Sequence, residues 1–374
     1  MDLKKYIIQT PKLHKYFKLD WDVLRTQQYC GILNFENQDF YLLPKIADKD
    51  DKINKDDETN LNIFIYMLKY AYDIKLENED IASCKNDKHT ILEVFIQLFA
   101  QRLFKEFGRG VYKEYVTEQD NLTTLRGKYL INENLKTNFI KNKIYCEYDE
   151  LSMNNTLNQF FLYALNSLLP FTKNKKLLKQ CELVLDEVES KFFDINTLHV
   201  NFNRLNSRFK ESFEFALLLL SKSIPLFSKD KKSFAFLFDM NVLFERFIGK
   251  IIQEKFDDVD IPKKSRKFGE LYLKPDIIVK SKNLIIDCKY KIIKEEKIAN
   301  RDDRYQMYVY ANNFENIKTT MLLYPKHLDD IDKSVVLGSN DNKVELKIKS
   351  LDLDFSGTYD DYIEEMKIRI GKII

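Results

Sequence analysis

The stretch LKPDIIVKSKNLIIDCKYK, Leu273–Lys291, decides how the rest of the chain is read. Two short apolar runs flank a polar turn, the pattern of a β-hairpin. Each run carries an aspartate, Asp276 and Asp287, and Lys289 follows the second by two residues. A carboxylate in an apolar strand is costly unless something pairs with it. A turn centred on Ser281 and Lys282 sets Asp276 directly across from Asp287. Directly opposed Cβ atoms lie about 4.5–5.5 Å apart, where two like charges destabilise the pair. A divalent cation between them removes that repulsion.

Side chains alternate along a strand, so Asp287 and Lys289 share one face while Leu284, Ile286, Cys288 and Tyr290 take the other. The expectation is an apolar face that holds the strand and a polar face that presents carboxylate and ammonium together. Oxygen ligands suit Mg²⁺, with Mn²⁺ as a substitute, better than zinc. The lysine is placed to orient or help deprotonate an attacking water, or to stabilise charge on a phosphate. The competing reading is a hairpin whose aspartates form salt bridges with neighbouring lysines. The Pro-Asp upstream, in matching register, weighs against it.

Two helical segments add candidates. In FDMNVLFERFIGK, Met240, Leu243, Phe244, Phe247 and Ile248 form an apolar stripe with Glu245 at its flank, a further source of a metal oxygen. In RDDRYQMYVYA, Asp303, Gln306 and Tyr310 recur at spacings of three and four and share a helix face. From there Gln306 reaches the lysine, a water or a phosphate. Both segments also read as ordinary amphipathic helices.

The surrounding charge is consistent with a polyanionic substrate. From Ile261 to Arg301 there are 12 Lys/Arg against 5 Asp/Glu, although the whole chain carries a net charge of only +2. Lys263, Lys264, Arg266 and Lys267 lead this excess. A solvated lysine-rich surface explains the charge equally well. Five cysteines lack CxxC spacing and four histidines are scattered, which argues against zinc and suits a reducing cytoplasm. No apolar run is long enough for a membrane span, and MDLKKYIIQT has no apolar signal core.

The 374 residues divide into an expected domain at 1–150, a helical connecting region at 151–230 and a C-terminal domain at 231–374. The first 45 residues read largely as strands, with CGILNFENQDFYLLPKI as a hairpin, followed by a polar loop at 47–58. Helices are expected near 60–73 and 90–107, and strand-like alternation over 111–150. Residues 154–255 read as mostly helical, broken at Pro170 and Pro225. Beyond Pro262 come strands, a helix near 302–312, more strands and a final helix.

Together KPDIIV, LIIDCKYK, DRYQMYVYA and LLYP resemble the nuclease domain of the McrC family, within the PD-(D/E)xK nuclease superfamily. The resemblance extends to MNVLFE, to LRGKYL and YCEYDELSMNNTLNQ between Leu125 and Gln159, and to the early LLPKI. Cys288 stands where that family often has alanine, a change that leaves the metal-binding face untouched. The resemblance implies an α+β chain: an N-terminal mixed strand-and-helix region for partner docking, a helical middle, and a C-terminal PD-(D/E)xK-like nuclease domain. It implies a Mg²⁺-dependent DNA endonuclease subunit of a modification-dependent restriction system, with an McrB-like AAA+ GTPase as partner. By the same resemblance Glu245, Asp276 and Asp287 are metal-binding acids, Lys289 is the catalytic lysine and Gln306 an accessory catalytic residue. No G-x-x-x-x-G-K-[ST] occurs, so GTP hydrolysis is expected from the partner, with the segment around Arg126 as a candidate contact. A non-catalytic activator of the partner and a stand-alone DNA repair nuclease are the alternatives. The intact acids and lysine disfavour the first, and the N-terminal resemblance the second.

Overall fold

A computed structural model describes residues 3–20, 23–35, 38–44, 46, 57–74, 91–140, 142–195, 197–228, 231–291, 293, 300–327, 329–339 and 342–374. The fold is mixed α and β, arranged in two compact units: Met1–Lys88 with Ala235–Ile374, and His89–Phe234. The boundary expected near residue 150 falls inside the second unit, and the one near 230 close to the return to the first.

The first unit begins with helix α1 (Leu3–Gln9), where strands are expected. Seven residues span barely two turns, too few for a helical period to emerge from KKYII. Burial of Tyr6 and Ile7 holds the helix instead. Strands β1 (Phe17–Asp20) and β2 (Val23–Thr26) pair antiparallel, as do β3 (Tyr29–Phe35) and β4 (Gln38–Leu42), the expected hairpin. Residues 47–56 of the expected polar loop lie outside the described residues. Helix α2 (Asp57–Ala71) follows.

The second unit opens with α3 (Ile91–Phe107). Strands β5 (Glu114–Leu122), β6 (Lys128–Tyr129) and β7 (Ile144–Ser152) form a three-stranded sheet in the order β5-β7-β6, with short helix α4 (Ile131–Thr137) between β6 and β7. Helices α5 (Thr156–Leu168), α6 (Lys176–Val184) and α7 (Lys210–Lys222) precede β8 (Ser223–Ser228). An aromatic core of Phe107, Phe160, Phe161 and Phe209 packs the helices. Two departures are clear. The described residues of 185–206 form turns and extended chain rather than helix, and Pro225 lies in a strand, not between helices.

The chain returns to the first unit through β9 (Lys231–Asp239), which lies beside β3 in the order β4-β3-β9. Asp239 caps helix α8 (Met240–Lys255), its carboxylate accepting the Asn241 N–H at 2.9 Å. The apolar stripe expected from the sequence is buried: Met240, Leu243, Phe244, Phe247 and Ile248.

A mixed six-stranded sheet follows, containing β10 (Val259–Asp260), β13 (Ile277–Val279), β14 (Leu284–Cys288), β15 (Thr319–Pro325), β16 (Asp332–Leu337) and β17 (Val344–Leu351). Its order is β10-β13-β14-β15-β17-β16, and β11 (Arg266–Phe268) with β12 (Leu271–Leu273) makes a separate hairpin. Strands β14 and β15 are parallel neighbours joined through helix α9 (Arg301–Asn313), so this crossover lays α9 on one face of the sheet. There Met307, Tyr310 and Phe314 pack with Ile278, Ile285 and Leu322. Helix α8 covers the other face at Ile277, and Gly249 permits the approach: a Cβ there would stand 2.9 Å from Ile261 Cδ1. Helix α10 (Tyr359–Ile373) packs against α8 and β17.

Candidate active site

The expected register holds. Ile277 pairs with Ile286 and Val279 with Leu284, so one further step brings Asp276 opposite Asp287. The connection is a tight 3-10 turn over Lys280–Lys282, closed by Asn283 in the left-handed region (φ 50°). Asp276 itself stands just outside β13, where its Oδ2 accepts the Cys288 backbone N–H at 2.8 Å. A short carboxyl side chain thereby takes the ladder position that a backbone carbonyl fills elsewhere.

Asp287 and Lys289 share a face as expected, but that face is not an open one, because all five residues of β14 are buried. A strand central to a sheet with helices on both sides has no open face. Asp287 is only 1% exposed and lies beneath α9. Its Oδ2 is 2.6 Å from Lys289 Nζ. Its Oδ1 accepts from Gln306 Nε2 at 3.3 Å, while Lys289 Nζ donates to Gln306 Oε1 at 3.2 Å. Gln306 therefore braces both the carboxylate and the ammonium. The Tyr310 hydroxyl accepts a second Gln306 hydrogen bond (2.8 Å) and donates to the Lys274 carbonyl (2.9 Å). This fixes the amide orientation and ties α9 to the chain just before Asp276. The spacing of Gln306 and Tyr310 was legible, but the contact with Lys274 was not.

Asn241 performs a similar service on the other face. Its Oδ1 accepts the Tyr290 backbone N–H at 3.0 Å, docking the start of α8 on the end of β14. Glu245, one turn further on, is brought near enough to Asp276 to act on it electrostatically, and its Oε1 lies 3.8 Å from Lys274 Nζ. Among the described residues no three metal-ligating side chains already converge on one point. Asp276 and Asp287 are the convergent pair, and Glu245 stands at their side facing a lysine.

The electrostatics are those of a site with excess negative charge. Burial, the Asp287 carboxylate and the Glu245 carboxylate push Asp276 up to about 7, against the opposing Cys288 N–H and Lys289. Burial also raises Asp287, opposed by Lys289. Burial disfavours the charged form of Lys289, but Asp287 outweighs it and holds the ammonium above its ordinary value. The donor set is oxygen only, mutually repelling and partly desolvated, which fits a hard divalent cation.

The sequence profile of the McrBC 5-methylcytosine restriction system component matches residues 24–325. The chain belongs to the McrBC family. A chain of the refined half-complex from the tetradecameric assembly of Thermococcus gammatolerans McrB AAA+ hexamers with bound McrC has a TM-score of 0.65 at 24% identity, covering 97% of this chain and 87% of that one. That likeness is one of fold. A chain of the cryo-EM structure of the McrBC complex from the same organism has a TM-score of 0.48 at 29% identity, over 64% of this chain and 70% of that one. No curated protein matches the sequence. Within this McrBC-family chain, the profile spans both compact units and includes Glu245, Asp276, Asp287, Lys289 and Gln306. No helix of the described residues is long and apolar enough to cross a membrane.

Proposed function

We propose that this McrBC-family chain is the endonuclease subunit of a modification-dependent restriction system, hydrolysing DNA phosphodiesters with Mg²⁺ in the cytoplasm alongside an McrB-like AAA+ GTPase. The observation that carries this reading is the closed contact among Asp287, Lys289 and Gln306, with Asp276 in register across the hairpin. A buried acid–lysine pair braced by a third side chain is more organisation than an ordinary surface salt bridge has.

In this PD-(D/E)xK-like reading Asp276, Asp287 and Glu245 would hold the cation. When bound, Mg²⁺ supplies charge to a phosphoryl oxygen and acidity to a water. Lys289, kept cationic by Asp287, acts as a fixed positive charge that orients the nucleophile and stabilises the pentavalent phosphate, rather than as a free-amine base. Gln306, bonded to both, fixes the orientation of the ammonium–carboxylate pair.

The same reading gives the second unit a share in partner docking. Tyr115 on β5, Leu135 on α4, and Phe139 and Ile140 in the bend after α4 are exposed, Phe139 at 91%. Arg126, in the turn before β6, lies 3.2 Å from Glu150 and over the Tyr148 ring. Apolar side chains exposed to this extent on so small a substructure are what an interaction surface would present. The test is to reconstitute the chain with an McrB-like GTPase and assay GTP-dependent cleavage of DNA containing 5-methylcytosine against unmodified DNA. Cleavage of neither, in a complex that hydrolyses GTP, would reject the nuclease reading.

A further inference from the structure

Lys291 is a cation beside this constellation to which the proposed chemistry gives no role. Its backbone N–H donates to the Lys289 carbonyl at 3.0 Å, a tight turn at the end of β14. Its ammonium lies 3.3 and 3.2 Å from the two oxygens of Asp303. The two partners differ in surroundings: the Asp303 side chain is 10% exposed and that of Lys291 47%. Asp303 is anchored independently of the lysine. The Tyr324 hydroxyl, in the core, donates to its Oδ2 at 3.4 Å, and its backbone N–H donates to the capping Asn300 side chain at 2.8 Å. A fixed carboxylate thus holds a half-exposed ammonium from one side.

The arrangement repeats the neighbouring one. Helix α9 holds Lys289 through Gln306 and, one turn earlier, holds Lys291 through Asp303. An ammonium has three donors, and one carboxylate engages at most two, so Lys291 retains donor capacity on its exposed side. Its charge also reaches the centre of the site, where it acts on Asp287.

We propose that Lys291 binds a DNA backbone phosphate beside the one under attack, with Asp303 as the positioning residue that holds its ammonium. The identity of the polyanion rests on the nuclease reading. The test is binding of the full chain, without partner and in EDTA, to a fluorescent DNA duplex over a range of salt. Lys291→Gln is expected to weaken binding several-fold at low salt and to reduce the slope of log K against log salt by about 0.9, the value for one neutralised phosphate. Lys291→Arg keeps the slope. Lys280→Gln serves as the matched control, since Lys280 is comparably exposed (56%) and paired with Asp258 at 3.0 Å at the other end of the hairpin.

An unchanged slope in Lys291→Gln overturns the inference. So does an equal loss in Lys280→Gln, which marks diffuse charge, and so does the absence of salt-dependent binding by the unaltered chain. Asp303→Asn keeps the slope but lowers affinity; a lowered melting temperature with unchanged affinity would reduce Asp303 to a structural role and overturn its part. These readouts need no cleavage, so their failure is distinct from failure of the nuclease reading, which the reconstituted complex decides.

Discussion

Asp287 on β14 and Lys289 just beyond its end have Oδ2 and Nζ separated by 2.6 Å, and the carboxylate is 1% exposed. Each therefore depends on the other. Lys289→Gln should lower DNA cleavage by at least about 10²-fold, the scale for loss of one aimed electrostatic group. It should also leave Asp287 buried without its nearest cation, so the variant loses stability at high pH and regains it on acidification, as the raised acid takes up a proton. Full cleavage by Lys289→Gln and Asp287→Asn in the reconstituted complex would remove both from the site.

The raised Asp276 carboxyl makes stability depend on pH in an inverted sense. Between the ordinary value of 3.8 and about 7, the folded chain binds a proton that the unfolded chain has released. Stability of the metal-free protein therefore falls as pH rises through that window, by up to about 4 kcal/mol, and is regained on acidification. Asp276→Asn should flatten the profile. Urea unfolding in EDTA at several pH values measures it, and a flat profile in the unaltered chain would contradict the assignment. Added Mg²⁺ should stabilise more at pH 8 than at pH 5.5, because protons compete for the same oxygens.

Gln306→Leu removes the brace between carboxylate and ammonium while preserving bulk. Cleavage should fall by roughly 10–10²-fold with DNA binding unchanged, since the loss is one of orientation. Tyr310→Phe, which deletes one accepted and one donated hydrogen bond, should cost less, about 1–3 kcal/mol of stability and a few-fold in rate. Equal rates for Gln306→Leu and the unaltered chain would relegate Gln306 to packing.

Arg126→Ala tests the partner surface in the intact chain. If the β5-β7-β6 sheet docks on the GTPase, GTP turnover in the complex should drop several-fold while the melting temperature of the chain alone is unchanged, because exposed pairs like Arg126–Glu150 contribute about 0–1 kcal/mol. Unaltered turnover and unaltered co-elution would exclude this surface.

Gly31 has φ of 144°, and a Cβ there would collide with the Phe236 carbonyl on β9. Gly31→Ala should destabilise the first unit by roughly 2–5 kcal/mol, combining backbone strain with overpacking. Thermal unfolding measures it, and a shift near zero would mean that β3 can separate from β9.

The strands and acids of Leu273–Lys291 were legible because a hairpin is local: alternation and turn position fix which residues oppose one another. The roof over Asp287 was not. Whether a strand lies at the edge or centre of a sheet depends on pairing with β15, more than thirty residues away, and alternation alone does not reveal it. The same limit explains Glu245, whose spacing placed it on a helix flank but could not show that Asn241 would dock that helix on Tyr290. At 185–206 apolar residues at helical spacings suggested a helix, but the chain there is held by turns and side-chain contacts such as those of Asn203 and Asn206.

The first unit is assembled from two stretches of chain, with His89–Phe234 made between them. During synthesis β3 therefore leaves the ribosome well before β9 exists to pair with it. At 5–20 residues per second the interval is on the order of 10–40 s. Through that time β3 has β4 on one side and a row of unsatisfied backbone groups on the other, a template for any extended segment nearby. Yield in rapid expression should accordingly be limited by the nascent chain rather than by the finished fold, and slowing translation or lowering temperature should raise the soluble fraction without changing the melting temperature of what is recovered.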